Sequence, residues 1–433
     1  MLDINFIRDN LQELKQVTKN KGIELDYEKL LKLDDKRREL IQKIDDLRQK
    51  RNANAELLKD PQKRTNKLIN EGKVLKDKLM ALENDFDKVK AQFDEMMLKV
   101  PNLISEDTPV GSDESVNKVI DKKGELPEFN FKIKDHLQLG KDLNILDIDR
   151  GVKASGFRGY YLKNDGARMH LAVLMYVFNK LIAKGFTPFI PPTLVREMAL
   201  IGSGHFPEGK EEVYQIGNPG KLETGEKVKE SLFLAGTSEP ALLAYHANEI
   251  LDKKELPLKY CAFSPCYRSE VGSYGKDTRG IYRLHEFWKV EQVIICQADI
   301  KEGLKFLENL REIAEEILQD FKLPYQVVSI CTGDMGAGKY KMYDLETWMP
   351  SRRAYSETHS DSFLTDWQAR RLNLRYKDQK GETKYAYTLN NTALASPRIL
   401  IALWENYQNK DSSITIPEVL RPYLANQQKI TKK

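Results

Sequence analysis

Apolar and polar positions alternate in a helical rhythm over the first quarter of the chain. Leu30, Leu33, Arg37, Leu40, Ile44, Leu47, Arg51, Asn54 and Leu58 follow one another in steps of three and four. A second run, Leu68, Gly72, Leu75, Leu79, Leu82, Phe86, Val89, Phe93, Met96 and Val100, does the same. Between them stands Asp60-Pro61, and a proline lacks the helix donor and clashes with the preceding turn. The pattern predicts two heptad-like helices folded into an antiparallel coiled-coil hairpin. At 1.5 Å per residue, each helix reaches on the order of 45–55 Å. The seam is apolar at its base and carries Arg51, Asn54 and Gly72 towards the turn, so the turn end packs least tightly.

Residues 101–126 form a polar connector containing Pro and Gly, where the texture changes. The predicted division is an N-terminal arm over residues 1–108 and a second domain over 109–433. In the second domain, helical patterns over 168–184, 239–251, 300–320 and 397–407 are interspersed with β-rich runs over 259–264, 287–295 and 325–331. The strands lie close together in sequence, around one long loop between Ser264 and Phe287. That suits an α+β domain with a mostly antiparallel sheet and helices packed on it, not a regular parallel βαβ series. No internal repeat is visible.

Charge sharpens the picture of the arm. The chain has 433 residues and a net charge of +4, and residues 30–100 alone hold 18 basic and 14 acidic residues. Residues 48–78 hold 10 basic against 4 acidic. Arg48, Lys50, Arg51, Lys59, Lys63, Arg64 and Lys67 cluster near the turn. Such an asymmetry suits phosphate neutralisation, the main term in nucleic-acid affinity. A dimerisation or spacer coiled coil with a solvated face is the competing reading, and on this segment alone the two stand level. The remaining composition, 41% hydrophobic and 31% charged, is that of a globular protein. The longest apolar runs fall far short of the ~20 residues that span a bilayer, and the first residues lack the marks of a secretory signal. Four cysteines without a CxxC pair read as buried thiols of a cytoplasmic protein, with no structural zinc expected.

One motif misleads. Gly333-Asp334-Met335-Gly336-Ala337-Gly338-Lys339 matches GxxxxGK, but Tyr340 follows where a P-loop needs a hydroxyl for Mg²⁺. Residues 341–348 then read as a strand, so a glycine turn between two strands is expected. Residues 266–291 carry more. Arg268 and Glu270 leave a strand on the same side. A glycine-rich, basic loop follows, and Arg283, Phe287 and Glu291 then recur every four residues, sharing a face in either a helix or a strand. Two guanidiniums, two carboxylates and a ring make a poor core face unless a charged ligand fills it. Phe287 and Trp288 on their own suit a core strand; Lys276 and Arg279 suit ordinary loop solvation; His285 and His359 suit packing. No Ser/His/Asp or Cys/His nucleophile pair is present.

This stretch resembles motif 2 of the class II aminoacyl-tRNA synthetases, and the wording Tyr267-Arg268-Ser269-Glu270-Val271-Gly272-Ser273-Tyr274-Gly275-Lys276-Asp277-Thr278-Arg279-Gly280 is very like the seryl-tRNA synthetases. Gly185 to Val195, with Pro191-Pro192, resembles motif 1, and Leu389 to Arg398 resembles motif 3. Thr237-Ser238-Glu239 matches the serine-loop signature. The resemblance spans essentially the whole chain and implies a class II antiparallel-sheet catalytic domain behind a tRNA-binding arm. It implies that Arg268, Glu270 and Arg398 carry catalysis, with Arg268 on the α-phosphate and the serine carboxylate. Phe287 and Arg398 would sandwich adenine, Glu270 would meet its amino group, and Arg283 would meet the γ-phosphate. Thr237, Ser238, Glu239, Glu291, Asn390 and Thr392 would surround serine. Ser269 and the run Glu357-Thr358-His359-Ser360 would complete the ATP site, with Glu357 and Ser360 holding Mg²⁺.

The sequence departs from the family pattern in places. His359 replaces one Ser of the usual Glu-Ile/Val-Ser-Ser. Asn391-Thr392 stands where Gly-Ser is common, and Pro397-Arg398 where Gly-Arg or Thr-Arg is common. Thr392 keeps a hydroxyl, and Pro397 suits a first helical turn. The implied partners are L-serine, ATP, tRNA(Ser), with tRNA(Sec) a further candidate, and a second copy of the chain in a homodimer whose arm serves the other subunit. A paralogue charging a carrier protein, and an inactive RNA-binding homologue, are the other classes left open. The intact arm speaks against the first, and the retained Arg268, Glu270, Glu291, Glu357 and Arg398 against the second.

Overall fold

The computed structural model describes residues 1–432 except 219, 222, 227, 229 and 272–279. Lys276 and Arg279, and most of the glycine-rich loop, therefore lie outside the described residues. The chain divides into two compact units, Met1–Pro101 and Asn102–Lys433. In the first, two short helices, Ile4–Asp9 and Leu11–Asn20, precede two long ones, α1 (Tyr27–Lys59) and α2 (Asn66–Lys99). Asp26 caps α1 by accepting from the Lys29 N–H at 2.9 Å, and Thr65 caps α2 through Leu68. The α1 helix stops at Lys59, just before the proline. Every position of the two periodic runs except Arg51 is buried or half-buried. Burial thins towards the turn, where Leu57 and Val74 are exposed and Asn54 reaches across to the Leu68 carbonyl. At the base, buried Asp34 is gripped by Arg8, Arg37 and Arg38, pinning the short first helix onto α1.

The second unit is built on an eight-stranded sheet. Its strands are β1 (Lys118–Lys123), β2 (Thr187–Phe189), β3 (Leu258–Tyr267), β4 (Glu286–Cys296), β5 (Tyr325–Ser329), β6 (Lys341–Met349), β7 (Ala354–Phe363) and β8 (Tyr387–Ser396). The spatial order is β1-β5-β6-β7-β8-β4-β3-β2, and only β2 runs parallel to its neighbour. Strand β4 sits between β3 and β8 and is covered on both faces. Val290, Ile294 and Cys296 point into the main core, with α3 (Asn164–Ala183), α4 (Ile300–Asp320) and α5 (Arg398–Asn406). Val293 and Ile295 point the other way, against Ala262, Leu242 and Leu372. Towards its start, that second face stops being apolar and becomes the candidate site. Trp288 takes the core face, its ring 5.2 Å from that of Phe263.

Most predicted elements form, with ends displaced by a few residues. The helix predicted over 239–251 is cut to Glu239–Ala244. Asn248 adopts a left-handed φ of 65° and gives its N–H to the Leu372 carbonyl; Ile250–Asp252 then pairs as a strand with Arg375–Lys377. The GxxxxGK segment is the expected turn between β5 and β6. Its glycines answer to packing: a Cβ on Gly333 would lie 2.3 Å from the backbone of Ser112, and one on Gly338 would lie 2.6 Å from the Trp367 ring. The four cysteines are buried free thiols. No group of three metal-ligating side chains occurs among the described residues. No described helix is long and apolar enough to cross a membrane.

Buried His170 on α3 links that helix to the end of β8, its Nδ1 2.8 Å from the Ser396 hydroxyl. Burial pushes its pKa down from 6.5 to about 4. Between those values the unfolded chain binds the extra proton and the folded chain does not. The contribution is therefore complete above pH 6.5 and is lost as pH falls towards 4, by up to about 3 kcal/mol. In urea titrations across that window the wild type should lose stability with a steeper slope than His170→Asn; parallel curves would remove His170 from the account.

Candidate active site

The site is assembled where β3 ends and β4 begins. Register pairs Cys266 with Phe287, Ser264 with Lys289 and Ala262 with Glu291. On the other side Thr392 of β8 stands opposite Glu291. Successive side chains of a strand point to opposite faces, so Phe287, Lys289 and Glu291 share one. A cavity opens there, walled by Arg268, Glu270, Tyr282, Arg283, Phe287, Lys289, Glu357, Thr392 and Arg398 among others.

At one end lies a buried ion pair. Lys289 Nζ is 2.5 Å from Glu291 Oε2, with only 5% and 3% of the two side chains exposed. The same ammonium donates to Thr392 Oγ1 at 3.2 Å, and that hydroxyl lies 3.5 Å from Glu291. Burial raises the Glu291 pKa, Lys289 opposes the rise, and the charge of Glu239 adds to it. Glu239 itself accepts from Asn390 at 2.6 Å and from Gln368 at 2.7 Å. Thr237 stands two residues earlier, its hydroxyl accepting from the Glu239 N–H at 3.4 Å. Thr237 and Asn390 thus gather on Glu239, and Lys289 and Thr392 on Glu291, with the charge of one carboxylate felt by the other. The Ser238 hydroxyl is engaged by that of Ser264, the residue opposite Lys289, at 2.7 Å.

At the other end are rings and guanidiniums. Arg268 lies over the Phe287 ring, 5.4 Å from its centroid. Arg398, the first residue of α5, lies 4.4 Å over the Tyr282 ring and donates to the Tyr282 carbonyl and to Glu357. Burial works against its charge, but Glu357, Tyr282 and Glu270 outweigh burial and raise its pKa. Glu270, at a left-handed φ of 56°, is held by Arg158 at 3.2 Å and Arg283 at 3.4 Å. Ser269 departs from expectation: its hydroxyl donates to the Glu211 carbonyl at 2.7 Å, away from the cavity.

Strand β7 contributes through an irregularity. Asp344 of β6 pairs with Ser360 and Leu345 with His359, but Glu346 pairs with Glu357, so Thr358 is an extra, bulged residue. The bulge brings Glu357 and Ser360 onto the face of Asp344 and Glu346. His359 falls on the opposite face, fully buried, its pKa pushed down by burial to about 3. The expectation that its side chain meets ATP is corrected on that ground. Thr358 reaches the cavity wall, while its hydroxyl bonds the Leu345 carbonyl and Thr347. Burial and the neighbouring Glu357 hold the Asp344 carboxyl well above its ordinary pKa.

In the separate N-terminal unit all seven basic residues near the turn are exposed. Arg48 pairs with Glu83 at 2.8 Å, Lys59 with Glu56 at 2.6 Å and Lys63 with Asp60 at 3.3 Å, and Arg51 bonds Asn52. Exposed pairs of this sort are worth little and are readily exchanged for phosphates.

Comparison with known proteins agrees along the chain's length. Residues 1–104 match the model of the seryl-tRNA synthetase N-terminal domain, and residues 221–407 match the tRNA synthetase class II core domain (G, H, P, S and T). The serine–tRNA ligase of Deinococcus radiodurans is 44% identical over 430 residues, covering 99% of this chain and 98% of that protein. The chain belongs to the seryl-tRNA synthetase family. The crystal structure of the Pyrococcus horikoshii enzyme complexed with ATP matches this synthetase with a TM-score of 0.86 at 36% identity, covering all of both chains. That of the cytoplasmic Naegleria fowleri enzyme in complex with AMP matches with a TM-score of 0.84 at 29% identity, covering 100% of this chain and 99% of that one.

Sequence reasoning missed several residues in and around this synthetase's cavity. Lys289 was legible: in a strand it shares the face of Phe287 and Glu291. Tyr282, next to Arg283, carried a weaker signal. Arg158 and Asp344 come from distant segments, and nothing in the local pattern marks them. Lys289 fixes Glu291, so Lys289→Met should weaken serine binding about tenfold or more while leaving ATP affinity nearly unchanged. Titration calorimetry with each ligand checks this; equal losses for serine and ATP would instead indicate a general collapse of the site.

Proposed function

We propose that this synthetase condenses L-serine with ATP to form seryl-adenylate, then transfers the seryl group to the 3′-terminal ribose of tRNA(Ser). The observation carrying the reading is the buried Lys289–Glu291–Thr392 group at one end of a cavity whose other end is lined by Arg268, Phe287 and Arg398. A pocket that hydrogen-bonds a hydroxyl through a buried carboxylate leaves polar groups unpaired when alanine enters. That can supply discrimination of ~10⁴.

In the first step the serine carboxylate attacks the α-phosphorus in line, the bond to the β-phosphate oxygen breaks, and pyrophosphate leaves. The carboxylate is already a nucleophile, so no side chain needs to remove a proton. Arg268 bridges the carboxylate and the α-phosphate, suited to that by its planar fork. Arg398 stacks on adenine opposite Phe287 and neutralises charge beside Glu357. Glu270 accepts from the adenine amino group and later from the terminal nucleotide, and Arg283 meets the γ-phosphate. Thr237, Glu239, Glu291 and Thr392 take the serine ammonium and hydroxyl, with Asn390 orienting Glu239. Ser238, Ser269 and Thr358 contribute main chain, because their hydroxyls are occupied. In the second step the ribose 3′-hydroxyl attacks the acyl carbon and AMP leaves.

Mg²⁺ fits this site. Glu357 and Ser360 share a face with Asp344, whose buried Oδ1 has no hydrogen-bond partner among the described residues, and hard oxygen donors suit that ion. Glu357 and Ser360 would hold it; when bound it supplies neutralisation of phosphate charge. The arm's basic end takes phosphates of the long variable arm of tRNA(Ser), and tRNA(Sec) is the further RNA substrate of this reading. The active form is a homodimer in the cytoplasm, the arm of one subunit serving the other. In support of a dimer, α3 leaves Leu171, Met175 and Ile182 exposed, and Ile190 and Leu194 follow, which is much apolar surface for one region.

Arg268→Ala removes the positive fork at the reacting phosphate, so serine-dependent ATP–pyrophosphate exchange should fall by ~10² or more. Exchange within a few-fold of wild type would refute Arg268's role. At the arm, replacing Arg51, Lys63 and Arg64 together by Gln should weaken tRNA binding and flatten its log–log salt dependence by somewhat under one unit per contact. Serine and ATP affinities should not move. Salt titrations of both proteins decide it, with a tRNA lacking the long arm as control; identical slopes would return the arm to a spacer.

A further inference from the structure

Beside the adenylate cavity lies a second hollow of about 310 Å³, whose walls include Phe157, Arg158, Tyr160, Tyr214, Tyr267 and His285. It shares no lining residue with the first cavity. The two are nevertheless separated by a single layer of backbone. Tyr267 immediately precedes Arg268, and the Arg268 N–H donates to the His285 carbonyl at 3.0 Å. His285 Nδ1 lies 3.0 Å from the Arg268 carbonyl and 2.9 Å from the Tyr214 hydroxyl, which fixes both rings. Arg158 crosses the divide: its guanidinium lies 5.3 Å over the Phe157 ring and ion-pairs with Glu270.

The chemistry of this hollow differs from that of the adenylate site. Phe157 is 56% exposed, with its ring edge-on to His285 at 6.5 Å. The His285 ring is also edge-on to Tyr214, at 6.1 Å. A cluster of fixed aromatic rings with one open ring face, beside a guanidinium, is a stacking platform for an unpaired base. The hollow admits one base with its ribose but no duplex. Its position agrees: the second reaction step brings a terminal ribose to the acyl carbon at Arg268, so the preceding nucleotide must lie close to that residue.

We infer that this hollow seats the penultimate nucleotide at the 3′ end of the tRNA, its base stacked on Phe157 beside the Tyr214–His285 pair. The inference rests on the function proposed above. Adenylate formation needs no RNA, so serine-dependent exchange reports folding and the first step independently of the hollow. Phe157→Ala should leave exchange within about twofold. It should lower kcat/KM for tRNA charging, and the single-turnover rate of transfer from preformed seryl-adenylate at subsaturating tRNA, by roughly ten- to a hundredfold. Phe157→Tyr should restore both, and Phe157→Leu should not. Intact exchange with charging insensitive to Phe157→Ala overturns the inference alone, as does full rescue by Leu, which would make the ring mere apolar filler. Exchange and charging falling together also overturn it, by making Phe157 structural. Absence of serine-dependent exchange in the wild type overturns the functional reading and this inference with it.

Discussion

The register of strand β4 is the constraint on which the catalytic unit depends. That strand is buried on both faces, and its side chains must divide between two different environments. Trp288, Val290, Ile294 and Cys296 complete the main core. Phe287, Lys289 and Glu291 face the cavity, while Val293 and Ile295 on the same face enter a second core. A slip of one residue against β3 or β8 would drive an ammonium and a carboxylate into packed hydrocarbon and expose the core residues. The apolar half of the strand thereby fixes the polar half, and the site inherits its geometry from core packing.

Most charges in that site are paired before any ligand arrives. Glu291 is matched by Lys289, Arg398 by Glu357, and Glu270 by Arg158 and Arg283. Burying one such charge without its partner would cost several kcal/mol. Holding each pair in place means that phosphates and a zwitterionic amino acid meet dipoles and charges already oriented, the arrangement that lowers reorganisation during phosphoryl and acyl transfer. The same economy explains why the site draws on several strands and on the starts of two helices: no single element could carry these charges and still pack.

Legibility in the sequence followed periodicity. The arm's two helices and the face shared by Phe287 and Glu291 were readable because a repeat of three to four, or of two, survives in the chain itself. Site residues whose side-chain direction mattered fared less evenly. Ser269 and His359 sit inside matching motifs, yet one hydroxyl is turned to Glu211 and the imidazole is buried behind the strand. Arg158 was invisible because its relation to Glu270 is made by a fold that brings residues 112 positions apart within 3.2 Å. The helix predicted over 239–251 stops at Ala244 because the chain tightens into i→i−3 turns (His246 N–H to Leu243, Ala247 N–H to Ala244) and then turns away at left-handed Asn248, none of which periodicity registers.

The extra residue in β7 sets a limit of another kind. Along a regular strand the facing of every side chain is decided by parity, and exchanging one amino acid for another leaves parity untouched. Glu357 and Ser360, three apart, stand on one face only because Thr358 adds a count. Variation by substitution can therefore tune the chemistry of that face but can neither create nor dismantle it. Only a change in chain length can do that, so gaps, more than mismatches, are the differences to look for where relatives are aligned across this strand.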